Sequence, residues 1–372
     1  MMKLLVLPRD PNPYQGLLYG EMKRLGVQIS YIGELTPSHT VNLLLLPLEL
    51  GLRRILGARL VHLHWVFPFR LPGTRRFPLI RVVAQAWFLV WLRMCRMLGI
   101  HLVWTVHNVL PHQAVFANDA SARRSLVKAC DLVLAHSPSA LAELSTLGAS
   151  ARRTAIIPHG AIVPAQATAA PRGRYGGDET RRFLFFGRVE EYKGVENLLA
   201  AFATIPCHPA THLTVAGQCD RPALRSVLHE LARRAGARVT LRLERIPEDE
   251  VGELFAAADV VVLPFRRITT SGSAMLALSH GKPLIVPDLP GLAVLPDQAL
   301  LRYDGEVPAL TNALVSLACA SGATLAAMSA AAYDFASHAT WQDIAQQTLA
   351  EMLLVLDDFR KIDADSRSAA PS

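Results

Sequence analysis

Short apolar segments alternate with helix-length segments along almost the whole chain, and this alternation constrains the fold more than any other feature of the sequence. The apolar segments that we predict to be strands are residues 3–8, 27–32, 59–65, 101–107, 131–136 and 154–158, then 182–186, 212–216, 238–242, 259–264, 283–287 and 300–303. Nearly continuous apolar strands separated by helices are typical of parallel sheets covered on both faces. Because the pattern occurs in two blocks, it predicts an α/β protein with two Rossmann-like, doubly wound domains facing each other across a cleft.

Composition marks the boundary between the two blocks. Residues 161–180 read AIVPAQATAAPRGRYGGDET, a stretch rich in Ala, Pro and Gly with neither strand nor helix periodicity. The end of the chain is polar, as frayed termini commonly are. In chain order we predict an N-terminal domain at residues 1–165, a linker at 166–180, a C-terminal domain at 181–340, a helix crossing back to the N-terminal domain at 341–361 and a disordered tail at 362–372.

Charge is divided unevenly between the two blocks. Residues 1–165 carry 18 Lys and Arg against 7 Asp and Glu, a net charge of +11, whereas residues 166–372 carry a net charge of −4. A strongly basic half indicates a polyanionic partner surface, either anionic lipid or nucleic acid. No helix-turn-helix, RRM or zinc-finger signature accompanies the basic half, so we expect no nucleic-acid partner.

Two segments of the basic half suit contact with an anionic membrane. Residues 41–56 read VNLLLLPLELGLRRIL, and residues 75–96 place five Arg among Phe, Ile, Leu and Trp side chains. At a membrane interface an apolar helix face enters the lipid while Arg meets the anionic head groups. The same segments also fit crossover helices packed on their own sheet, and the sequence leaves both interpretations open.

Composition and cysteine spacing exclude several classes of protein. With 51 % apolar and 19 % charged residues, the chain is too hydrophobic and too weakly charged to be disordered. Its five Cys form no CxxC pair, so neither a disulfide framework nor a zinc knuckle is indicated. The longest nearly charge-free apolar run, residues 82–92, is shorter than the ~20 residues of a spanning helix. We therefore expect a cytoplasmic protein that is peripheral at the inner face of the membrane.

Two loops at predicted strand ends carry groups suited to phosphate. The first, residues 186–194, reads FGRVEEYKG, and its Arg188 and Lys193 offer a fork of donors and a compact charge. The second, residues 271–273, places Ser-Gly-Ser at a helix start, where free N–H groups and the helix dipole attract anions. Ordinary surface charges and simple N-capping by Ser271 are the alternative interpretations.

Histidines follow several predicted strands of the first block. His62 and His64 end one strand, His107 ends another, and His136 and His159 follow two more. Because the carboxyl ends of parallel strands meet at one edge of a sheet, some of these histidines are expected to line the binding cleft. Their spacing gives no set of three or four metal ligands, so we predict no metal site and no cofactor.

Together these motifs resemble those of the GT-B glycosyltransferases over nearly the whole chain. The resemblance rests on NPY at 12–14, HLHW at 62–65, WTVHNVLPH at 104–112, IPHG at 157–160, FGR at 186–188, YKGVE at 192–196, TSGSA at 270–274 and LALSHGKP at 276–283. It implies that a nucleotide-sugar donor is bound by Gly16, Arg188, Lys193, Gly217, Ser271, Gly272 and Ser273. It further implies acceptor contacts through Asn12, Tyr14, His64, Trp65 and Asn108, and a catalytic base among His107, His112 and Asp119.

Two branches of the GT-B enzymes compete. Retaining family 4 enzymes place two Glu eight positions apart around the donor helix, and here those positions hold Ile268 and Leu276. The Ser-Gly-Ser helix instead resembles the inverting β-1,4-mannosyltransferases of xanthan-type glycolipid assembly, although Gln113 stands where that group often has a Glu. This resemblance implies metal-independent hexosyl transfer, with mannose from GDP-mannose, to a lipid-linked or polysaccharide acceptor. A retaining enzyme using a UDP-sugar, a non-catalytic binding subunit and a nucleotide-sugar epimerase remain as alternatives.

Overall fold

The computed structural model describes residues 2–10, 12–74, 76–111, 113–162, 180–206 and 210–368. The chain divides into two compact units, the first formed by Met1–Pro158 with Trp341–Ser372 and the second by His159–Thr340. The predicted linker at 166–180 lies outside the described residues, apart from its last residue. Each unit contains a six-stranded parallel sheet, so the fold is α/β with two doubly wound domains, as the sequence predicts.

The sheet of the first unit contains six strands that all correspond to predicted segments. They are β1 (Lys3–Leu7), β2 (Gln28–Tyr31), β3 (Leu60–Leu63), β4 (His101–Val106), β5 (Leu132–Ala135) and β6 (Thr154–Ile156). They pair in parallel in the order β2-β1-β3-β4-β5-β6. The direction of winding changes between β1 and β3, and open α/β sheets bind ligands at the carboxyl ends of such strands.

Helices cover both faces of this sheet. The helices between its strands are α1 (Pro13–Arg24), α2 (His39–Ile55), α3 (Pro78–Met97), α4 (Asp119–Ala129) and α5 (Pro138–Ser145). α2, α3 and α4 bury Leu46, Phe88 and Leu126 in one core against the sheet. α1 buries Leu18 and Met22 in a separate core on the other face. Three layers of this kind are the usual way to cover a fully apolar parallel sheet.

The second unit repeats the architecture with the remaining six predicted strands. Its strands are β7 (Arg181–Phe186), β8 (Thr211–Ala216), β9 (Val239–Arg242), β10 (Val260–Val262), β11 (Leu284–Pro287) and β12 (Leu300–Tyr303), paired in the order β12-β11-β10-β7-β8-β9. Its helices are α6 (Val195–Thr204), α7 (Pro222–Ala235), α8 (Glu248–Ala257), α9 (Gly272–Ser279), α10 (Val307–Ala318) and α11 (Gly322–His338). The winding changes direction between β7 and β10, so the loops that follow these two strands flank the switch point.

The last helix, α12 (Trp341–Ser368), belongs to the first unit. The ring of Trp341 lies 5.1 Å from that of Tyr14, and Glu351 pairs with Arg153 at 2.7 Å. The sequence predicts a disordered tail from residue 362, whereas the helix continues to Ser368. Since no Pro or Gly occurs between residues 357 and 370, nothing in this stretch interrupts a helix.

α3 departs from the expectation that no segment is long enough to span a membrane. Among the described residues it is the single helix that meets the length and composition of a span, and α10 with α11 does so only when joined across a 108° bend. The expectation rests on a charge-free run, whereas length and composition alone admit a helix with a few charges near its ends. In this fold α3 is the crossover from β3 to β4, and 28 % of its most apolar stretch is buried.

Candidate active site

Three loops of the second unit meet at the carboxyl end of its sheet. Gly187 follows β7, Gly217 follows β8 and Ser273 lies in the first turn of α9. A Cβ atom at Gly217 would lie 2.0 Å from the carbonyl oxygen of Gly187, and one at Gly187 would lie 2.8 Å from Ser273 Oγ. Such close approaches require glycine. The structure therefore brings two predicted donor-binding residues, Gly217 and Ser273, to one point.

Lys193, between β7 and α6, supplies a buried cation to the second unit. Its Nζ lies 4.4 and 5.3 Å from the ring centres of Phe265 and Tyr192. The residue is only 8 % exposed, and burial lowers the pKa of its ammonium group to about 8. Within the described ranges, Nζ has no carboxylate or hydrogen-bond partner. A buried ammonium group without a counter-ion attracts an anion strongly.

The loop that carries Lys193 packs directly on the segment that leads to α9. Gly194 has a φ of +68°, and a Cβ atom there would lie 2.0 Å from the carbonyl oxygen of Pro264. The N–H group of Arg266 donates a hydrogen bond of 2.9 Å to the carbonyl oxygen of Tyr192. These contacts fix the Lys193 loop against the chain between β10 and α9, on the two sides of the switch point.

Arg188 is held by carboxylates. Its guanidinium group pairs with Asp220, and its Nε lies 3.4 Å from Glu190 Oε1. Arg188 and Lys193 are both predicted to hold a diphosphate, but the structure distinguishes them, because the Arg188 side chain is 63 % exposed and already paired with carboxylates. An exposed ion pair contributes no more than about 1 kcal/mol, so the anion of a ligand can displace Asp220.

The start of α9 presents polar groups, as the sequence predicts. Ser271 caps the helix by accepting a hydrogen bond of 3.1 Å from the N–H group of Ala274. Gly272 and Ser273 lie in the first turn of α9, where backbone N–H groups have no acceptor within the helix. Thr270 Oγ1 is buried and, among the described residues, has no hydrogen-bond partner. A buried hydroxyl group in this state is available to a bound ligand or to a water molecule.

Two polar residues near α9 were not assigned a role from the sequence. His159 Nε2 lies 3.8 Å from the position of a Cβ atom at Gly272, and its Nδ1 lies 2.7 Å from the carbonyl oxygen of Gly160. Burial lowers the pKa of His159, which favours the neutral imidazole. The signals available were the place of His159 after a strand and the place of Thr270 beside the Ser-Gly-Ser motif. Neither signal indicates the burial of the His159 ring and of the Thr270 hydroxyl group, because burial arises only when the chain folds.

Gly217→Ala is expected to damage the loops around Gly187. At a φ of +146°, an added methyl group 2.0 Å from the Gly187 oxygen forces the two loops apart. We expect a loss of about 2 kcal/mol in the free energy of unfolding and weaker binding of nucleoside diphosphates, measured by urea unfolding and calorimetry. Gly252→Ala in α8 is the control, since a Cβ atom there meets nothing within 4 Å. Full stability and binding in Gly217→Ala would contradict the close approach described here.

Aromatic and imidazole rings of the first unit gather around Tyr14 in α1. The Tyr14 ring lies edge-on to His64, His107 and His136, with ring centres 5.7, 4.9 and 5.3 Å away. Trp65 stacks on His107 with ring centres 4.4 Å apart. The structure thus brings together four residues predicted to act in acceptor binding or catalysis, Tyr14, His64, Trp65 and His107, and adds His136 to them.

Short hydrogen bonds link these histidines to a second tyrosine. His107 Nε2 lies 2.9 Å from His64 Nδ1, and His64 Nε2 lies 2.5 Å from the Tyr19 hydroxyl oxygen. That hydroxyl oxygen also lies 2.8 Å from His62 Nδ1, and His62 Nε2 lies 2.7 Å from Thr105 Oγ1. Burial, reinforced by neighbouring histidines, lowers the pKa of His62 to about 3 and that of His64 well below its ordinary value. Both imidazoles are therefore neutral at physiological pH.

Two residues predicted for binding lie at the start of α1. Asn12 caps the helix, its Oδ1 accepting a hydrogen bond of 3.0 Å from the N–H group of Tyr14. This cap positions Tyr14 at the first turn. Gly16 is exposed, and a Cβ atom there would meet nothing within 4 Å, so packing does not require glycine at this position.

The loop after β4 carries the remaining predicted residues. Asn108 follows His107 directly and is half-buried. Asp119 accepts hydrogen bonds from the N–H groups of Val115, at 3.2 Å, and Phe116, at 3.1 Å. Its carboxylate therefore holds the loop at the start of α4, which makes it a poorer candidate for a base than His107. His112 lies outside the described residues, and its catalytic role stays a prediction.

Comparison with known proteins places each unit in a glycosyltransferase group. The model of Glycosyltransferase Family 4 matches residues 17–162, and that of Glycosyl transferases group 1 matches residues 180–319. A GDP-mannose:glycolipid 4-β-D-mannosyltransferase of Xanthomonas campestris pv. campestris is 31 % identical over 132 residues, which are 34 % of this chain and 37 % of that protein. A D-inositol 3-phosphate glycosyltransferase of Corynebacterium diphtheriae is 30 % identical over 176 residues, 45 % of this chain and 41 % of that protein. The chain thus matches well under half the length of these relatives.

Solved structures show the same fold across the whole chain. A sucrose-phosphate synthase from Thermosynechococcus elongatus superposes with a TM-score of 0.74 at 18 % identity, covering 96 % of this chain and all of that one. The Anabaena protein HepE in complex with UDP gives a TM-score of 0.68 at 18 % identity, covering 95 % and 99 %. The fold and the two family matches define a glycosyltransferase of the GT-B class. The chain belongs to this class, and the Glycosyltransferase Family 4 and Glycosyl transferases group 1 models each match less than half of its length.

Proposed function

We propose that the protein transfers a hexose, specifically mannose from GDP-mannose, to a lipid-linked or polysaccharide acceptor. The observation that carries the proposal is the buried ammonium group of Lys193, which has no counter-ion among the described residues and lies in the loop at the switch point of the second sheet. A diphosphate is an anion of the right charge for this position. The partial similarity to a GDP-mannose:glycolipid 4-β-D-mannosyltransferase supports the choice of mannose.

The donor diphosphate would be held by the second unit. Lys193 would neutralise one phosphate, while the N–H groups of Gly272 and Ser273 and the hydroxyl group of Thr270 would donate hydrogen bonds to the other. These donors are fixed before the reaction, and such preorganised groups stabilise the charge that develops on a leaving diphosphate. The proposal is therefore for transfer that does not depend on a metal ion. Activity that survives EDTA supports this point, and activity restored only by added magnesium opposes it.

The acceptor would be activated by the first unit. In an inverting displacement, the acceptor oxygen forms a bond to the anomeric carbon while the bond from that carbon to the diphosphate breaks. The acceptor hydroxyl proton must leave at the same time, and His107 is the proposed general base. Tyr14, Trp65 and Asn108 surround His107 or follow it, and are proposed to contact the acceptor sugar.

A retaining transferase that uses a UDP-sugar is the second candidate. The match of residues 17–162 to Glycosyltransferase Family 4 favours it, as does the partial similarity to D-inositol 3-phosphate glycosyltransferase. The absence of Glu at positions 268 and 276 speaks against it. The anomeric configuration of the product, read by NMR, separates the two, since a β-mannoside requires inversion of the α-linked donor.

The test of the proposed function is a transfer assay. The purified protein is incubated with GDP-mannose and a polyprenyl-diphosphate-linked oligosaccharide, and the lipid fraction is analysed by mass spectrometry. The proposal predicts an acceptor that is heavier by one hexose. Conversion of the nucleotide sugar in the absence of acceptor would indicate an epimerase, and binding of the sugar nucleotide without turnover would indicate a binding subunit.

The first unit also carries a surface that suits a membrane. One face of α2 exposes apolar side chains at intervals of three and four residues, and α3 exposes them at intervals of four and seven residues. They are Val41, Leu44, Leu48, Leu52 and Ile55 on α2, and Leu79, Val83, Val90 and Met97 on α3. The two helices are neighbours, since Trp87 of α3 donates a hydrogen bond of 3.1 Å to the carbonyl oxygen of Leu43. An extended apolar surface of this kind usually marks an interaction site.

Cations lie at the C-terminal ends of the same helices. A cavity of about 950 Å³ there is lined by Arg54, Arg59, Arg96, Lys128 and Arg152, with Asp131 as its single carboxylate among the described residues. Cations in the last turn of a helix often complement the helix dipole, and this accounts for Arg54, Arg96 and Lys128. Arg59 and Arg152 are not on helices, and of these two Arg152 pairs with Asp131 at 3.6 Å. We call the exposed apolar side chains of α2 and α3, together with the cations at the C-terminal ends of these helices, the membrane face. We propose that the membrane face docks on anionic lipid.

Binding to lipid vesicles tests the membrane face. The double variant Leu48→Gln/Leu52→Gln is expected to lose at least tenfold in affinity for vesicles containing phosphatidylglycerol, because each buried Leu contributes about 1.5 kcal/mol or more. Donor binding should not change. The control Val227→Gln/Val294→Gln removes apolar side chains that are also exposed, but on the second unit. Equal vesicle binding by both double variants would refute docking through α2.

A further inference from the structure

The Tyr19 hydroxyl group lies between two imidazoles, and its chemistry restricts how their protons are arranged. It is 2.8 Å from His62 Nδ1 and 2.5 Å from His64 Nε2. A phenol has one hydrogen to donate and an oxygen that accepts. Tyr19 therefore donates to one histidine and accepts from the other. Burial raises the pKa of Tyr19 well above its ordinary value, so the hydroxyl group keeps its hydrogen.

In a neutral imidazole, the role of one ring nitrogen as donor or acceptor determines the role of the other. A neutral imidazole carries hydrogen on one ring nitrogen and a lone pair on the other. If Tyr19 donates to His62, His64 must donate to Tyr19 from Nε2 and accept from His107 at Nδ1. If Tyr19 donates to His64, every one of these bonds reverses. The tautomers of His62, His64 and His107 are thus coupled through one hydroxyl group.

We propose that Tyr19 and His64 are positioning residues that keep the proton of neutral His107 on Nε2 and leave Nδ1 as its basic nitrogen. In this arrangement, His107 Nε2–H donates to His64 Nδ1, His64 Nε2–H donates to Tyr19, Tyr19 donates to His62 Nδ1, and His62 Nε2–H donates to Thr105 Oγ1. The inference deepens the proposed function and rests on it, because it concerns the base of that reaction.

Protonation of His107 distinguishes the two arrangements. When His107 accepts the acceptor proton at Nδ1, the imidazolium still donates from Nε2 to His64, and no hydrogen bond of the chain is lost. In the reversed arrangement His64 carries hydrogen on Nδ1, so two N–H groups would face each other across 2.9 Å. Only the proposed arrangement accommodates the charged state of the base.

The proton that His107 accepts is not passed on to the titratable side chains Tyr14 and His64 beside it. Among the described residues, the titratable side chains that contact its ring include Tyr14 from α1, His64 from the end of β3 and His136 from the end of β5. Burial raises the pKa of Tyr14, and the pKa of His64 is lowered far from neutrality. Neither Tyr14 nor His64 exchanges a proton with His107 near pH 7, so the hydrogen-bonded chain orients the base without taking its proton.

Tyr19→Phe tests the inference, with Tyr31→Phe as the matched control. The two rings contact each other edge-on, but Tyr31 is not part of the hydrogen-bond chain. Without the hydroxyl group, His64 is free to carry hydrogen on Nδ1 and donate to His107, which opposes protonation of the base. We expect kcat to fall at least tenfold, the acidic limb of its pH profile to move to lower pH, and the donor Kd to stay unchanged. A wild-type kcat and pH limb in Tyr19→Phe would overturn the inference.

A spectroscopic measurement on the wild-type protein tests the proposed tautomer of His64 even if the Tyr19→Phe variant fails to fold. Nitrogen-15 NMR of the histidine rings in the wild-type protein reports which nitrogen of His64 carries hydrogen. We expect hydrogen on Nε2 of His64, and hydrogen on Nδ1 would overturn the inference. This result is independent of catalysis: if His107→Gln retains full activity, the proposed base is wrong, while the His64 tautomer still shows whether the chain is arranged as described.

Discussion

Lys193→Met is expected to weaken binding of a nucleoside diphosphate by about 50-fold. A charge-assisted hydrogen bond contributes on the order of 1.5–3 kcal/mol, and a 50-fold loss corresponds to about 2.4 kcal/mol, within that range. Methionine has a similar length and fills irregular gaps, so the packing against Phe265 should be kept. Removal of a buried charge without a counter-ion should not destabilise the free protein. Calorimetric titration with GDP measures the effect.

The pH dependence of this binding has a definite sign. The pKa of Lys193 is lowered to about 8, so the free protein loses the ammonium charge as pH rises through that value. Wild-type affinity for GDP is therefore expected to fall between pH 7 and pH 9, and the affinity of Lys193→Met should stay nearly constant. Lys282→Met is the matched control, because Lys282 is also buried with a pKa lowered to about 8 but donates to the carbonyl oxygen of Ala258 at 2.8 Å. Equal losses in the two variants would show that Lys193 has no special role.

His107→Gln is expected to lower kcat by about 100-fold or more while leaving the donor Kd unchanged. General-base catalysis commonly contributes a factor of 10² to 10⁴, and glutamine cannot accept the acceptor proton. Rates are measured with GDP-mannose and the lipid-linked acceptor at saturating concentrations. His101→Gln is the control, since His101 lies at the opposite end of the same strand β4, 3.3 Å from Asp131.

The two measured quantities separate the roles that His107 can have. An unchanged kcat would remove His107 as the base. A higher donor Kd with unchanged kcat would instead assign His107 to donor binding. Comparable loss in His101→Gln would point to a general effect on β4 and not to the ring cluster around Tyr14.

The strands could be predicted because their signal is local. The central parallel strands are buried on both faces, so they appear in the sequence as short continuous apolar runs, and all twelve predicted runs became strands. The switch points follow from the order of the strands, which the sequence does not contain. The end of α12 was misjudged because polar composition was taken as disorder, although no residue there breaks a helix.

The site could be predicted only in part, because burial and pairing depend on distant residues. The loop carrying Lys193 and the start of α9 were recognised from their place after predicted strands. The pairing of Arg188 with Asp220 joins positions 32 residues apart, and no local sequence pattern indicates it. The link from His107 through His64 to Tyr19 joins a strand end to the middle of α1, which only packing reveals.

Titration of GDP and GMP onto the wild-type protein tests the central claim most directly. The two ligands share the base and the ribose and differ in the second phosphate, which Lys193 and the start of α9 are proposed to hold. We expect GDP to bind at least about tenfold more tightly than GMP, a difference of about 1.4 kcal/mol. Equal affinities for the two nucleotides would contradict the account.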